Sequence, residues 1–231
     1  MGEDIGWFER AGMLYEQATF GGDTGAVAIA ARELDAVEAD LALARGRILH
    51  AQFLQDRQPD PRELATFARA AELYEQLGDV RGEGEASFWV GVFHQVVAGD
   101  TDNARPALER SYALATQAGD QLTLSYAARH LGFVAGDDGD MELARERFEE
   151  SVRLRREIGF MPGVAAGLLA LAELSARQRQ REDAKAPRCR GRTDRAGVRS
   201  SRRPGLVREG TSRARGYARR WRLIPTRSAF S

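Results

Sequence analysis

Two stretches of the chain superimpose without a gap at a spacing of 40 residues, and this repetition constrains the fold more than any other feature. Residues 99–119 read GDTDNARPALERSYALATQAG and residues 139–159 read GDMELARERFEESVRLRREIG. Gly99-Asp100 falls on Gly139-Asp140, Ala104 on Ala144, Leu108 on Phe148, Ser111 on Ser151 and Leu114 on Leu154. Side chains three or four apart share one face of an α-helix, so positions 104, 108, 111 and 114 mark the inner stripe of a helix. Each copy closes on a glycine, where a left-handed cap costs no Cβ strain.

Partner helices are expected between these copies. Glu83–Ala98, Gln121–Ala135 and Pro162–Gln178 each carry an apolar run centred on a small residue: Gly91, Gly132 and Ala172. A branched apolar residue precedes each one (Val90, Leu131, Leu171). Twelve residues separate Gly132 from Ala144 and Ala172 from Ala184; the distance from Gly91 to Ala104 is one longer, which is assigned to the connecting loop. An earlier, looser hairpin pairs Leu34–Gln55, with Gly46 in the place of Gly91, with Arg62–Leu77, which Pro61 opens and Gly78-Asp79 closes. Phe67, Ala70 and Leu73 occupy its inner stripe. Trp7–Phe20 and a start near Asp23-Thr24 read as a capping helix and the lead-in to the first long helix. The expected organisation is capping helices over 1–34, repeats over 35–186 (35–78, 83–119, 121–159 and an incomplete 161–186), and a separate tail over 187–231.

The motif Leu131-Gly132, then Ala144, then Phe148, with Ser151 at a further small position, resembles the tetratricopeptide repeat. It departs from that family at Ala128, where an aromatic is usual, and in lacking the helix-ending proline. Its 40-residue spacing is similar to that of the longer helical repeats in the sensor regions of actinobacterial and MalT-like transcription regulators. The resemblance covers about residues 35–186. It implies an all-α, right-handed superhelical solenoid of antiparallel helical hairpins that binds a protein or peptide partner in its concave groove. The runner-up reading that it implies is a signal-input module related to a transcription regulator's sensor region.

Adding 40 once more places a fourth second helix at Glu182-Asp183-Ala184, after which the pattern fails: Arg188, Gly191 and Asp194 stand at the apolar and small positions. The net charge of zero hides a split, because residues 187–231 hold fourteen Arg, no Lys and two acids (Asp194, Glu209), a balance of +12 against −12 for residues 1–186. Three readings compete for this tail. It is a frame-shifted, non-native end of a GC-rich gene, a native disordered tail, or an Arg-rich arm that holds nucleic acid through phosphates, with Tyr217 and Trp221 stacking on bases. The failure of the repeat at its apolar positions favours the first.

No enzyme is expected. The glycines of Gly21-Gly22-Asp23-Thr24-Gly25 lack the Gly-Lys-Ser/Thr of a phosphate loop, and Phe148 stands where a calcium loop counted from Asp137 needs glutamate. His50, His94 and His130 lie on different helices with no second ligand near in sequence, so neither metal nor cofactor is expected. The single cysteine, Cys189, excludes a disulfide within one chain. The acidic start leads into no apolar run, and no stretch has the length of a membrane span, so a cytoplasmic protein without membrane contact is expected.

In the resembled family the first helix of each pair lines the concave side. Counting from the small residue, the inward positions are Arg47 and His50, then Glu85, Phe88, Val92 and Gln95, then Tyr126, Arg129 and Phe133, then Leu169 and Glu173. The family's chaperone-binding carboxylate grip needs Lys and Asn there, and Leu43 and Arg47 occupy its first pair of places. Arg47 and Arg129 remain suited to acidic groups, since a guanidinium fork matches a carboxylate. The incomplete last hairpin is expected to leave Leu168, Leu171 and Leu174 uncovered and to favour self-association or low stability.

Overall fold

Four of the chain's glycine–aspartate pairs stand at helix joints, Gly78-Asp79, Gly99-Asp100, Gly119-Asp120 and Gly139-Asp140. In the computed structural model, which describes residues 6–185, each pair is the whole joint between two helices. The glycines take φ of 72°, 68°, 67° and 93°, a region that costs a residue with a Cβ roughly 1–2 kcal/mol. The aspartates then cap the next helix. Asp79 accepts from the Gly82 amide, Asp100 from Asn103, Asp120 from Leu122 and Thr123, and Asp140 from Leu143, all at 3.0–3.2 Å. One residue ends a helix and the next begins another, so the chain reverses without a loop.

Among the described residues the chain forms eight helices and no strand: α1 (Trp7–Phe20), α2 (Ala26–Asp56), α3 (Arg62–Leu77), α4 (Val80–Val92), α5 (Thr101–Ala118), α6 (Gln121–Asp138), α7 (Met141–Glu157) and α8 (Met161–Lys185). Each packs chiefly on its neighbours in sequence, most closely within the pairs α2–α3, α4–α5 and α6–α7. Contacts also link alternate helices: Arg47 on α2 pairs with Glu85 on α4, and the Phe88 ring of α4 lies 5.4 Å from that of Tyr126 on α6. On the other side Arg110 of α5 reaches Glu75 of α3 at 3.1 Å, and the Tyr112 hydroxyl donates to Glu150 of α7 at 2.7 Å. The arrangement is consistent with a helical repeat. None of the described helices is long and apolar enough to cross a membrane.

One contact recurs inside every pair. A large side chain of the second helix covers a glycine of the first: Phe67 over Gly46, Leu108 over Gly91 and Phe148 over Gly132. A Cβ at those glycines would come within 2.4, 2.6 and 2.7 Å of the covering side chain. The covering residues are at most 2% exposed, and burying each contributes roughly 1.5–3 kcal/mol. Three clusters of buried side chains result, one built on each pair.

Three expectations need correction. The extra residue between Gly91 and Ala104 is not in the loop; α4 continues as a π-helical turn, Phe93–Ala98, that absorbs it. The joint has no room for it, since Gly99 and Asp100 are both committed to capping. Secondly, residue 34 is no boundary, because α2 runs unbroken for 31 residues. Thirdly, Glu182 begins no new helix, and α8 runs through to Lys185. Arg179 stands 20 residues after Gly159, where the earlier joints have glycine, and residues 176–181 are Ala, Arg and Gln, all good helix formers. Cys189 and the Arg-rich stretch 187–231 lie outside the described residues.

Candidate functional site

The residues expected to face a partner divide into two groups. His50, Phe88 and Gln95 lie in the interior, at 6%, 4% and 0% exposure, together with Val92. His50 turns its Nδ1 to the buried Glu63 carboxylate of α3, at 2.8 Å, and packs its ring on Phe53 and Trp89. Gln95 sits on the π-helical turn and meets His130 of α6 twice. Its Oε1 lies 2.5 Å from His130 Nδ1, and its Nε2 donates to the His130 carbonyl at 3.2 Å. Burial, then the charges of Arg129 and Arg155, holds His130 well below the ordinary imidazole range, so it is neutral and Nδ1–H is the donor.

The second group reaches the surface along α2, α4, α6 and α8. Arg47 and Glu85 pair with each other, Tyr126, Arg129, Phe133 and Glu173 are half-buried, and Leu169 is exposed. Tyr126, Arg129 and Phe133 follow the helical period along α6, and the rings connect them. Tyr126 lies between Phe88 and Phe160, and Phe133 packs edge-on to Phe148 at 5.0 Å. The Arg129 guanidinium lies 4.7 Å from the centre of the Phe133 ring, within cation–π range. Burial, with Arg155 adding to it and Glu173 opposing, brings the Arg129 pKa down to about 10, so the group keeps its charge at neutral pH.

Arg155 was not anticipated from the sequence. It lies in the last turn of α7 and is 2% exposed. Nε donates to the Ser125 hydroxyl at 3.3 Å and Nη1 to the Gly163 carbonyl at 2.8 Å, while the guanidinium stacks 5.0 Å from the Tyr126 ring centre. No described carboxylate forms an ion pair with it, and burial lowers its pKa. The 40-residue alignment held the signal, because it sets Arg155 against Ala115 and Phe160 against the capping Asp120. A charge replaces a methyl group in the core, and an aromatic replaces the capping acid.

Beside Tyr126 and Phe160 a cleft of about 740 Å³ opens between the α5–α6 and α7–α8 joints, with Arg81, Leu122 and Ile158 on its walls. Among the described residues no cluster of His, Cys, Asp or Glu is placed to hold a metal ion. The arrangement suits recognition: aromatic surface, paired cations and a concave opening. No family model matches the chain, and no curated protein matches it.

Proposed function

We propose that the chain is a tetratricopeptide-like scaffold, a right-handed superhelical solenoid that binds a protein or peptide along the face of α4, α6 and α8 without catalysing a reaction. The recurrent seating of Phe67, Leu108 and Phe148 on glycines carries this reading, since it gives three helical pairs the same internal geometry. Stacked copies of one hairpin form an extended surface, and such surfaces take extended peptides or helices. Half-buried Tyr126, Arg129 and Phe133 supply the aromatic and arginine anchors that dominate binding energy at protein interfaces.

Site-specific photocrosslinking tests the reading. A photoreactive phenylalanine analogue replaces Leu169, which is 53% exposed on the proposed face, or Leu143, which is 40% exposed on α7. One dominant protein adduct from position 169 and none from position 143 is the expected result. Equal labelling from both, or no adduct from either, would remove the support for a binding face.

A further inference from the structure

We propose that the chain associates head to tail with a second copy of itself, α8 of one copy serving as the first helix that α1 of the next copy lacks. The inference stands on the geometry of the helical pairs and does not depend on a peptide bound along α4, α6 and α8.

α1 is written as a second helix of the repeat. Residues 8–17 read FERAGMLYEQ and residues 67–76 of α3 read FARAAELYEQ, identical at seven of ten positions. Phe8, Ala11 and Leu14 therefore match Phe67, Ala70 and Leu73, the inner stripe of α3. Leu14 is buried, as Leu73 is, but the two aromatics part from their counterparts. Phe67 is 0% exposed against Gly46, and Tyr74 is 5% exposed and donates to Asp40 at 2.6 Å, both partners lying on the first helix α2. Phe8 is 76% exposed and Tyr15 64%. Among the described residues no first helix precedes α1, so the side chains that would seat on one stand open.

α8 is the reverse case. The 40-residue repeat sets Ala172 where Gly132 lies beneath Phe148, and among the described residues no second helix follows to cover it. Ala165, Leu168 and Ala172 share one face of α8 and are exposed. The antiparallel α6–α7 pair supplies the register, with Phe148 over Gly132 and Arg155 Nε on the Ser125 hydroxyl. Carrying α6 forward by 40 residues, and matching Leu154 of α7 to Leu14, sets Phe8 on Ala172 and Tyr15 beside Ala165. One turn along from Phe8 and Ala172, Leu168 meets Gly12. Leu168 is larger than its counterpart Ala128 and Gly12 is smaller than its counterpart Val152, so the volumes compensate. A Cβ at Gly12 would meet nothing within 4 Å in the single chain, which leaves that space for the leucine. Antiparallel pairing also turns the first turn of α1, which carries Glu9, toward the C-terminal part of α8, which carries Arg179 and Arg181. The contact thus continues an interface that the chain makes three times within itself. Because it joins unlike surfaces, association proceeds past the dimer to a ring or an open chain.

Sedimentation velocity and crosslinking on the full chain test the pairing. The parent is expected to form species larger than a dimer as concentration rises. Phe8→Glu is expected to weaken that association about tenfold, the scale of one lost buried aromatic. Met13→Glu, on another face of α1, is expected to associate as the parent does. Both positions are exposed, so the helical content by circular dichroism is expected to stay unchanged. For crosslinking, Gly12→Cys and Leu168→Cys are made in separate chains that both carry Cys189→Ser, and a short bismaleimide is added to each and to their mixture. The mixture is expected to give a covalent product that neither variant gives alone, which places position 12 of one copy beside position 168 of another. A product from Leu168→Cys alone, equal to that of the mixture, would mean that α8 pairs with α8 and overturns the proposal. A parent that stays monomeric at every concentration overturns it too. Association through the basic residues 187–231 is lost in salt and does not respond to Phe8→Glu, and that pattern overturns it as well.

Discussion

At Gly132 the backbone of α6 lies directly beneath an aromatic ring of α7. The Phe148 ring occupies the space of the missing Cβ, 2.7 Å from where that atom would sit. Gly132→Ala raises intrinsic helix propensity but forces the ring to move, and such overpacking costs roughly 1–3 kcal/mol. Urea denaturation is expected to show a net loss, most of it recovered in Gly132→Ala with Phe148→Leu because the leucine yields the space. A stabilised single variant would mean that the ring is free to shift. The sequence flagged Gly132 and Phe148 by their places in the repeat. It did not flag Arg155, since a surface arginine and a buried one look alike until the neighbouring helices are in position.

At the level of the element, the glycine–aspartate joints decide where each helix stops and starts. Asp120 shows how much one side chain does: it accepts from the amides of Leu122 and Thr123, from the Thr123 hydroxyl at 2.9 Å and from Arg81 at 3.3 Å. Burial alone would raise its pKa; the hydrogen bonds from Thr123 and Arg81 outweigh burial and hold it below the ordinary aspartate range. A depressed carboxylate stabilises the fold fully above the unfolded aspartate range, and that contribution fades as pH falls through the folded pKa. Asp120→Asn keeps an acceptor for the cap and removes the titration. Its melting temperature is expected to fall less between pH 5 and pH 2 than that of the parent, and identical acid profiles would contradict the assignment. Asp120→Ala removes the cap as well and is expected to cost about 1 kcal/mol at neutral pH. Periodicity placed α1, α3 and α5 within a residue or so, because their ends are written as Gly, Asp or Pro. It misplaced the end of α8, where no such residue stands, and it put the extra residue before Ala104 in a loop because a π-helical turn leaves no mark in the hydrophobic pattern.

For the molecule as a whole, α8 sets how the described series of helices terminates. Leu168 and Leu169 on α8 are 46% and 53% exposed, and Met161 is 62% exposed. Leu174, expected to be open as well, is 3% exposed because it packs with Ala135, Ala144 and Phe148. The repeat sets Leu168 and Ala172 against Ala128 and Gly132, which form the interface of α6 with α7. An apolar face of this kind drives association. Light scattering is expected to show concentration-dependent self-association that Leu168→Glu weakens, with the helical signal unchanged. A monomer at every concentration would show that the face is covered within the chain.

The sequence by itself determined the alternation of helices, their inner stripes and most of their joints, because capping and helical periodicity act over a few residues and are written locally. Only the tertiary structure decided which of these side chains are buried and which reach the surface. His50, Phe88 and Gln95 have inward places in the repeat, yet side chains from other helices enclose them: Glu63 and Trp89 close over His50, Tyr126 over Phe88 and His130 over Gln95. Arg155 is drawn inward by Ser125, Tyr126 and Gly163 in the same way. Burial is set by what neighbouring helices bring to a position, and no stretch of sequence carries that information alone.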